Sequence, residues 1–240
     1  MKKKYFFKII ILLLIIGFSS KNSQAQRKKS KKDYLVEIKT SLGSIYLVLY
    51  EDTPKHRENF LRLAKKKFFK DLLFHRIKAK FMIQGGDPES RNAPKGKILG
   101  AGGGELGLID AEFHPHRFHK KGALAAARRP NPAKASSACQ FYIVHGRKFT
   151  ERELSYLEQQ KKIQYTPAQK KLYKEEGGAA MLDQDYTVYG EVIKGMDIVD
   201  KIATQDKDRF DRPYKDIKMN ITVKKMRKKK ITKKYGYQYQ

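Results

Sequence analysis

The residues best suited to chemistry lie in one stretch, FHRIKAKFMIQGGD, which runs from Phe74 to Asp87. It places Arg76 and Gln84 on either side of an apolar run and ends in a Gly-Gly break. If two strands joined by a short turn form here, alternation puts these two polar side chains on one face and Ile77 and Ile83 on the other. A guanidinium has five fixed donors and keeps its proton. Beside an apolar surface it suits an electrostatic clamp, for a reaction that moves no proton and forms no bond.

Three further blocks accompany this stretch in the same order along the chain. They are GALAAAR at Gly122 to Arg128, QFYIV at Gln140 to Val144, and YTVYGEVIKGMDIVDKI at Tyr186 to Ile202. Together the four blocks resemble the cyclophilin family of peptidyl-prolyl isomerases over roughly Tyr34 to Met226. The resemblance implies a mainly β fold: a closed eight-stranded antiparallel barrel, capped by two helices, with the active groove on its outer wall.

The resemblance also implies which positions form the site. Arg76 matches the family's catalytic arginine, and Gln84 matches the glutamine that orients it and the peptide carbonyl. Phe81, placed with them in the catalytic set, and Met82 match the wall of the proline pocket. No metal or other cofactor is implied. The remaining substrate-binding positions are Ala127, Tyr142, Leu182 and Tyr186.

Four positions depart from the usual family pattern. Tyr142 stands where phenylalanine is usual, so its hydroxyl needs a partner if it is buried. Tyr186 takes the place of the common histidine, and Arg128 that of a groove asparagine. Met181 stands where many members carry tryptophan, which predicts weak binding of cyclosporin.

The implied function is peptidyl-prolyl cis-trans isomerisation that accelerates the folding of exported proteins. The enzyme would twist X-Pro bonds without a covalent step, with help from Arg76. The alternative is a proline-peptide-binding chaperone or adaptor module that turns over slowly or not at all, tethered by basic arms to an anionic envelope surface. Arg128 and Tyr142 keep this alternative open. The expected partners are proline-containing unfolded or extended polypeptides, bound by a monomer.

Residues 1–25 have the pattern of a cleaved signal peptide. A basic start at Lys2 to Lys4 precedes an apolar run from Ile9 to Phe18 and a small-x-small ending at Ser23 to Ala25. The apolar run is shorter than the roughly 20 residues that span a bilayer. We therefore expect export to the periplasm or the extracellular medium. The single cysteine, Cys139, excludes an internal disulfide.

Positive charge is concentrated at the ends of the chain, whose formal net charge is +28. Residues 26–33 form a basic linker with five basic side chains, and Lys224 to Lys234 holds eight in eleven residues. The linker and the tail at 227–240 are expected to be flexible, because such segments bury little apolar area. They could bind an anionic membrane or envelope surface. Specific nucleic-acid binding is not expected, because interleaved aromatic side chains are absent.

Within the isomerase-like domain, residues 34–226, the pattern predicts a hairpin over 35–49. A helix of about 14 residues follows, capped by Thr53 with Pro54 in its first turn. A helical insertion is expected at about 150–180, where two segments, 151–162 and 167–176, are rich in good helix-forming residues. A short helix is predicted over 196–203, and a closing strand over 216–226.

Other motifs indicate structure rather than chemistry. Gly100 to Gly107 lacks the Gly-Lys-Ser/Thr that a phosphate loop needs, so a tightly turned loop is expected. His114, His116 and His119 lack a matching carboxylate or cysteine set and are expected in a solvated loop. Cys139 is expected to be a small buried hydrophobe.

Overall fold

A computed structural model describes residues 30–239 of the chain. The strands among these residues are β1 (Lys32–Thr40), β2 (Gly43–Leu49), β3 (Leu72–Leu73), β4 (Arg76–Lys78), β5 (Met82–Gly85), β6 (Leu108–Ile109), β7 (Ala123–Ala126), β8 (Ser136–Ser137), β9 (Phe141–Val144), β10 (Val188–Lys194) and β11 (Lys218–Arg227). The α-helices are α1 (Pro54–Lys65), α2 (Glu151–Lys161), α3 (Pro167–Glu175), α4 (Met196–Ala203) and α5 (Lys228–Tyr235). Single-turn 3-10 helices lie at Pro88–Ser90, Gly104–Leu106 and Ala180–Leu182. No helix in this described part of the chain is long and apolar enough to cross a membrane.

The hairpin predicted at the start of the domain is confirmed. β1 and β2 pair antiparallel from Leu35↔Val48 to Thr40↔Gly43. Gly43 has φ +134°, and a Cβ there would lie 2.5 Å from the side chain of Ile198. A residue with a side chain would therefore be both strained and obstructed at this turn.

Nine strands form one antiparallel sheet in the order β3-β11-β1-β2-β10-β7-β9-β5-β4, and β6 pairs separately with β8. The two edge strands, β3 and β4, are separated in the chain only by Phe74 and His75, so the sheet curls and brings its two edges near each other without pairing them. The mainly β, antiparallel architecture is thus confirmed. The closed eight-stranded barrel is corrected: the sheet has nine strands, and no ladder joins β3 to β4 among the described residues. The two-residue strand β3 is too short to leave an alternating pattern in the sequence.

The curled sheet and two helices enclose the largest buried apolar cluster, which we call the inner core. Phe60 of α1 packs in it with ring centroids 5.1 Å from Phe69 and 5.6 Å from Phe141 of β9. Ile198 and Ile202 of α4 belong to the same cluster. Both helices therefore cover the core, as expected for the two capping helices.

The start of α1 differs from the prediction. Pro54 is its first residue, but Thr53 makes no side-chain cap, and its hydroxyl donates instead to the carbonyl oxygen of Tyr50. The carboxylate of Glu112 accepts from the backbone N–H groups of Lys55 at 2.9 Å and His56 at 3.0 Å. A negative charge at a helix N-terminus is stabilising, and here it comes from a distant loop.

The helices predicted in the segment 150–180 are confirmed. Both α2 and α3 begin with a capping box, formed by Thr150 with Glu153 and by Thr166 with Gln169. Their apolar faces form a small cluster of their own, which contains Phe149, Leu154, Tyr165, Tyr173 and Ala180.

The expected flexible tail is wrong for residues 228–239. Ile231 of α5 is fully buried and clusters with Leu35 and Val48 on the outer side of the hairpin. Tyr235 lies one turn further on, with its ring centroid 5.3 Å from that of Tyr46. Residues four apart share a helix face, so these two apolar side chains dock a helix that is otherwise rich in lysine.

The predicted basic linker overlaps the start of the sheet. Lys32 already pairs with Arg227 of β11. Asp33 is buried and lies 2.7 Å from the guanidinium of Arg57. The structured domain therefore begins before residue 34. The predicted signal peptide, residues 1–25, and residues 26–29 of the linker lie outside the described residues.

Candidate active site

A row of side chains crosses the outer face of the sheet at one level. Arg76 of β4 stands opposite Gln84 of β5, and Gln84 stands opposite Tyr142 of β9. Tyr142 in turn faces Ala125 of β7, which faces Val188 of β10. Residues directly opposite on paired strands share a face. At about 4.8 Å per strand, Arg76 lies about 10 Å from Tyr142 across this row.

The alternation predicted for FHRIKAKFMIQGGD is confirmed. Ile77 and Ile83 stand opposite one another and both belong to the inner core. Met82, on the other face, is 2% exposed and belongs to a different cluster. Arg76 and Gln84 share the face of Met82 by the same alternation.

That second cluster, which we call the outer cluster, lies on the outer wall of the sheet. Its buried members include Met82, Tyr142, Ala125 and Val188. Half-buried side chains packed against it come from three further segments of the chain. The outer cluster thus brings together six of the eight predicted site residues: Phe81, Met82, Ala127, Tyr142, Leu182 and Tyr186.

Arg76 sits at the edge of this row, with its side chain 37% exposed. Its Nε lies 3.4 Å from Oδ2 of Asp211, and that carboxylate also accepts a hydrogen bond of 2.6 Å from Lys207. Partial burial acts to raise the pKa of Asp211, but the hydrogen bond from Lys207 and the charge of Arg76 outweigh it and lower that pKa. Among residues 30–239 the Arg76 side chain makes no other hydrogen bond or ion pair. Its two terminal nitrogens can therefore donate to a ligand.

The Gln84 side chain is oriented by a second glutamine that the sequence analysis did not assign. Its Nε2 donates to Oε1 of Gln140 at 3.1 Å. Nε2 of Gln140 donates to the carbonyl oxygens of Gly100 at 3.1 Å and Gly102 at 3.0 Å. Gln140 thus ties the glycine-rich loop to the row. The signal for it was its place at the head of the QFYIV block.

The buried hydroxyl of Tyr142 has the partner it was expected to need. It lies 2.9 Å from Nε2 of His119, and the two rings are stacked with centroids 6.0 Å apart. Burial raises the pKa of Tyr142 well above its ordinary value, so the hydroxyl keeps its proton. His119 is fully buried, so its expected place in a solvated loop is corrected.

The other two histidines of that segment hold a turn together. His114 and His116 contact the carbonyl oxygen and the carboxylate of Asp52 at 2.7 and 2.8 Å. His116 is more than half exposed. Among residues 30–239, no group of three or more His, Cys, Asp or Glu side chains could hold a metal ion.

His119 opens onto a buried network that sequence reasoning missed. Its Nδ1 lies 2.6 Å from Oδ1 of Asp183. The other carboxylate oxygen accepts hydrogen bonds from the hydroxyls of Tyr165 at 2.9 Å and Tyr173 at 2.5 Å. These tyrosines belong to the segment of α2 and α3. The network therefore links the helical segment to the floor of the outer cluster.

Two of the departures from the family pattern form a pair at the rim of the outer cluster. The guanidinium of Arg128 lies 4.7 Å from the ring centroid of Tyr186, and its Nε donates to the carbonyl oxygen of Asp185 at 2.7 Å. Tyr186 also meets Tyr142 edge-on, with centroids 6.0 Å apart. Arg128 is thus held against the wall of the groove.

Cys139 is buried and free of disulfides, and burial raises the pKa of its thiol to about 11. This confirms a small buried side chain. The loop turns through positive φ at Gly100, Gly103 and Gly107, as expected for a tightly turned segment.

The protein is thus a curled antiparallel β-sheet protein whose outer wall carries an apolar patch flanked by an arginine. The model of the family "Cyclophilin type peptidyl-prolyl cis-trans isomerase/CLD" matches residues 35–223. The chain belongs to this family of isomerases, so the enzyme class predicted from the sequence is confirmed.

Two curated relatives show how far the similarity extends. A Staphylococcus saprophyticus protein named as a peptidyl-prolyl cis-trans isomerase is 33% identical over 179 residues, covering 74% of this chain and 85% of that protein. A Streptococcus pyogenes protein named as a bifunctional phosphatase/peptidyl-prolyl cis-trans isomerase is 33% identical over 187 residues. That alignment covers 76% of this chain but only 37% of the streptococcal protein.

A solved structure shows the same fold. The cyclophilin-type peptidyl-prolyl cis-trans isomerase of Cryptosporidium parvum has a TM-score of 0.56 and 22% identity, covering 80% of this chain and 98% of that one. The same protein was also crystallised in the presence of the dipeptide Ala-Pro, and that structure has a TM-score of 0.55.

Proposed function

We propose that this protein isomerises X-Pro bonds in unfolded or extended polypeptides, with Arg76 stabilising the twisted state of the bond. The observation that carries the proposal is the row of Arg76, Gln84 and Tyr142, which sets a guanidinium with free donors beside an apolar patch. Membership of the cyclophilin-type family supports the same reaction.

The physics of the reaction accounts for this combination. The barrier to rotation is about 18–20 kcal/mol because the nitrogen lone pair is delocalised into the carbonyl. In the twisted state the lone pair is localised on nitrogen and can accept a hydrogen bond. A donor fixed at that nitrogen binds the transition state more tightly than either planar ground state. No covalent bond is broken, so the rotation itself requires neither a nucleophile nor a proton transfer.

Each predicted residue has a role that suits its place. Phe81, Met82 and Leu182 would hold the pyrrolidine ring while the other side of the bond turns. Gln84, whose amide is held by Gln140, would leave its own Oε1 free to meet the peptide backbone. Three further residues would shape the groove. The small side chain of Ala127 would leave room for the substrate chain, Tyr142 would form the floor, and Tyr186 would form the rim.

The two departures that favoured a slow binding module have structural partners. The Tyr142 hydroxyl is bonded to His119, and Arg128 is stacked on Tyr186. Neither polar group is buried without a partner, so neither requires the groove to lose its affinity for a proline ring. We therefore favour the enzyme over the chaperone or adaptor module.

The test is isomerisation of an Ala-Pro peptide by wild type and Arg76→Ala. Loss of the guanidinium should lower kcat/KM by about 10²–10³, equivalent to roughly 3–4 kcal/mol. Arg62→Ala is a matched control, because Arg62 is exposed on α1 and its side chain bonds only to Asn59 within the described part of the chain. Equal rates for Arg76→Ala and wild type would remove Arg76 from the mechanism. Peptide binding without turnover by wild type would instead favour the binding module.

We further propose that the substrates are exported polypeptides and that residues 1–25 direct this chain to the same compartment. The support is the sequence pattern of a basic start, a short apolar run and a small-x-small ending. Expression in a bacterial host should yield an exported protein beginning at Gln26. A cytoplasmic product of full mass would contradict the proposal.

An anionic envelope surface is the second proposed partner. Most basic residues at the C-terminal end are exposed: Lys224, Lys225, Arg227, Lys229, Lys230, Lys233 and Lys234. They stand on β11 and α5, which would present them as an ordered patch. Changing the four exposed lysines of α5 to glutamine should weaken binding to anionic vesicles and leave the fold intact. Binding that does not fall with salt would contradict an electrostatic origin.

A further inference from the structure

A cavity of about 340 Å³ lies between the segment that follows β9 and the start of α2, and we call it the insertion pocket. One side is the segment after β9, with Arg147 and Phe149, and the other is the first turns of α2, with Tyr156 and Leu157. Met181 completes the lining.

The chain runs directly from the insertion pocket to the candidate active site at two points. Met181 directly precedes Leu182, which packs against the outer cluster. On the opposite wall, the backbone N–H of Gly146 donates to the carbonyl oxygen of Phe81 at 3.0 Å, and Arg147 follows Gly146 in the chain. Both walls are therefore formed by segments that directly adjoin residues proposed to hold the proline ring, Leu182 through the chain and Phe81 through a backbone hydrogen bond.

The pocket exposes apolar side chains that a soluble domain normally covers. Tyr156 is 60% exposed and Met181 is 38% exposed, and both belong to the small set of large hydrophobic side chains left open to solvent in the described residues. Two such side chains around one concave surface mark a candidate binding site.

The walls of the pocket are fixed in place before any ligand arrives. Arg147 pairs with Glu153 at 2.8 Å, and its guanidinium lies 4.2 Å from the ring centroid of Phe149. The backbones of Arg147 and Gly178 form an antiparallel bridge, in which each N–H donates to the other's carbonyl oxygen, at 3.0 and 2.9 Å. A preformed site loses less entropy on binding than one that must be ordered.

The bonds of Asp183 also lock the helical segment to the groove. Its carboxylate joins Tyr165 and Tyr173 to His119, which holds the hydroxyl of Tyr142. The distance between the insertion pocket and the outer cluster is therefore set by a buried network rather than by a mobile loop.

We propose that the insertion pocket is a subsite for an apolar or aromatic side chain of the same polypeptide whose proline occupies the outer cluster. This inference rests on the proposed function. Met181 lines the pocket and its chain neighbour Leu182 packs against the outer cluster. Consecutive Cα atoms are about 3.8 Å apart, so we expect the bound side chain to lie roughly two to four residues from the proline of an extended chain. Arg152 also lines the pocket and forms no ion pair within residues 30–239. It selects for a carboxylate next to the apolar residue.

The test uses peptides with one proline in which phenylalanine or serine is placed at each of five positions on either side. In wild type, phenylalanine at one position should raise kcat/KM about tenfold over serine, equivalent to about 1.4 kcal/mol. Tyr156→Ala and Met181→Ala should bring that ratio close to one. Both positions are exposed, so the variants should fold, which thermal unfolding checks. Gln159→Ala, exposed on α2 but outside the pocket, should keep the ratio of wild type.

The outcomes separate the subsite from the reaction. Turnover of a short Ala-Pro peptide with no phenylalanine preference at any position would overturn the subsite alone. A preference that persists in both Tyr156→Ala and Met181→Ala would also overturn it. Absence of turnover of the short peptide would overturn the proposed function and, with it, this subsite. Concentration-dependent dimerisation that disappears in Tyr156→Ala would identify a second copy of the chain as the occupant instead.

Discussion

The hydroxyl of Tyr142 lies 2.9 Å from Nε2 of His119, and this contact joins the floor of the candidate groove to a wholly buried polar network. Through Asp183, the network reaches the two helices of the segment at 150–180. The groove and the helical segment are therefore parts of one hydrogen-bonded unit. A substitution at either end should therefore alter the local stability of the other end.

Tyr142→Phe should lower the free energy of unfolding by about 1–3 kcal/mol, because it leaves the Nε2 atom of His119 buried without a partner. The ring that forms the floor remains, so isomerase activity should stay within a few-fold of wild type. Urea unfolding and a peptide assay measure the two effects. Tyr214→Phe is the control, since Tyr214 is 62% exposed and should give no change in stability. A variant as stable as wild type would show that the contact contributes nothing.

Asp183→Ala should destabilise the protein more strongly than Tyr142→Phe. It removes the acceptor for two buried tyrosine hydroxyls and for the backbone N–H of His119. We expect a loss of at least about 3 kcal/mol, because several buried donors lose their partner together. Hydrogen exchange should show α2 and α3 opening before the sheet. Exposed Asp197→Ala is the matched control, and equal protection in both variants would refute the coupling.

His75 makes the stability of the domain depend on pH. Both of its ring nitrogens are buried, and neither has a hydrogen-bond partner among residues 30–239. Burial lowers the pKa of the imidazole from 6.5 to about 4, against the attraction of Asp87, while the charges of Arg76 and Arg212 lower it further. Above pH 6.5 neither state carries the proton. Between about 6.5 and 4 only the unfolded chain binds it, so stability falls as the pH falls.

The size of this effect should be on the order of 3 kcal/mol between pH 7 and pH 4. Urea unfolding of wild type and His75→Leu across that range isolates it, because the carboxylates titrate in both proteins. The wild type should lose more stability on acidification than the variant by about that amount. Parallel pH profiles would contradict the assignment to His75.

Much of the fold was predictable where local pattern and packing agree. Alternation placed Ile77 and Ile83 on the face opposite Met82, and the short helix predicted over 196–203 is α4. The exceptions depend on partners far away in the chain. Glu112 takes over the capping of α1, and the burial of His119 depends on Asp183 and Tyr142.

The C-terminal helix was missed for a related reason. Its composition is that of a solvated arm, and only the spacing of Ile231 and Tyr235 indicates a buried face. Whether that face finds an apolar surface depends on the outer side of the hairpin, at Leu35 and Val48. Composition alone cannot reveal such a surface, because it forms only when the sheet does.

The most direct test of the central claim separates binding from rotation. Exchange spectroscopy of an Ala-Pro peptide titrated with the protein up to saturation measures both the Kd and, at saturation, the rate of isomerisation on the protein. If Arg76 acts on the twisted state, Arg76→Ala should leave the Kd within about threefold and slow the bound rotation about 10²–10³-fold. An unchanged rotation rate, with any loss confined to the Kd, would contradict a role for Arg76 in the transition state.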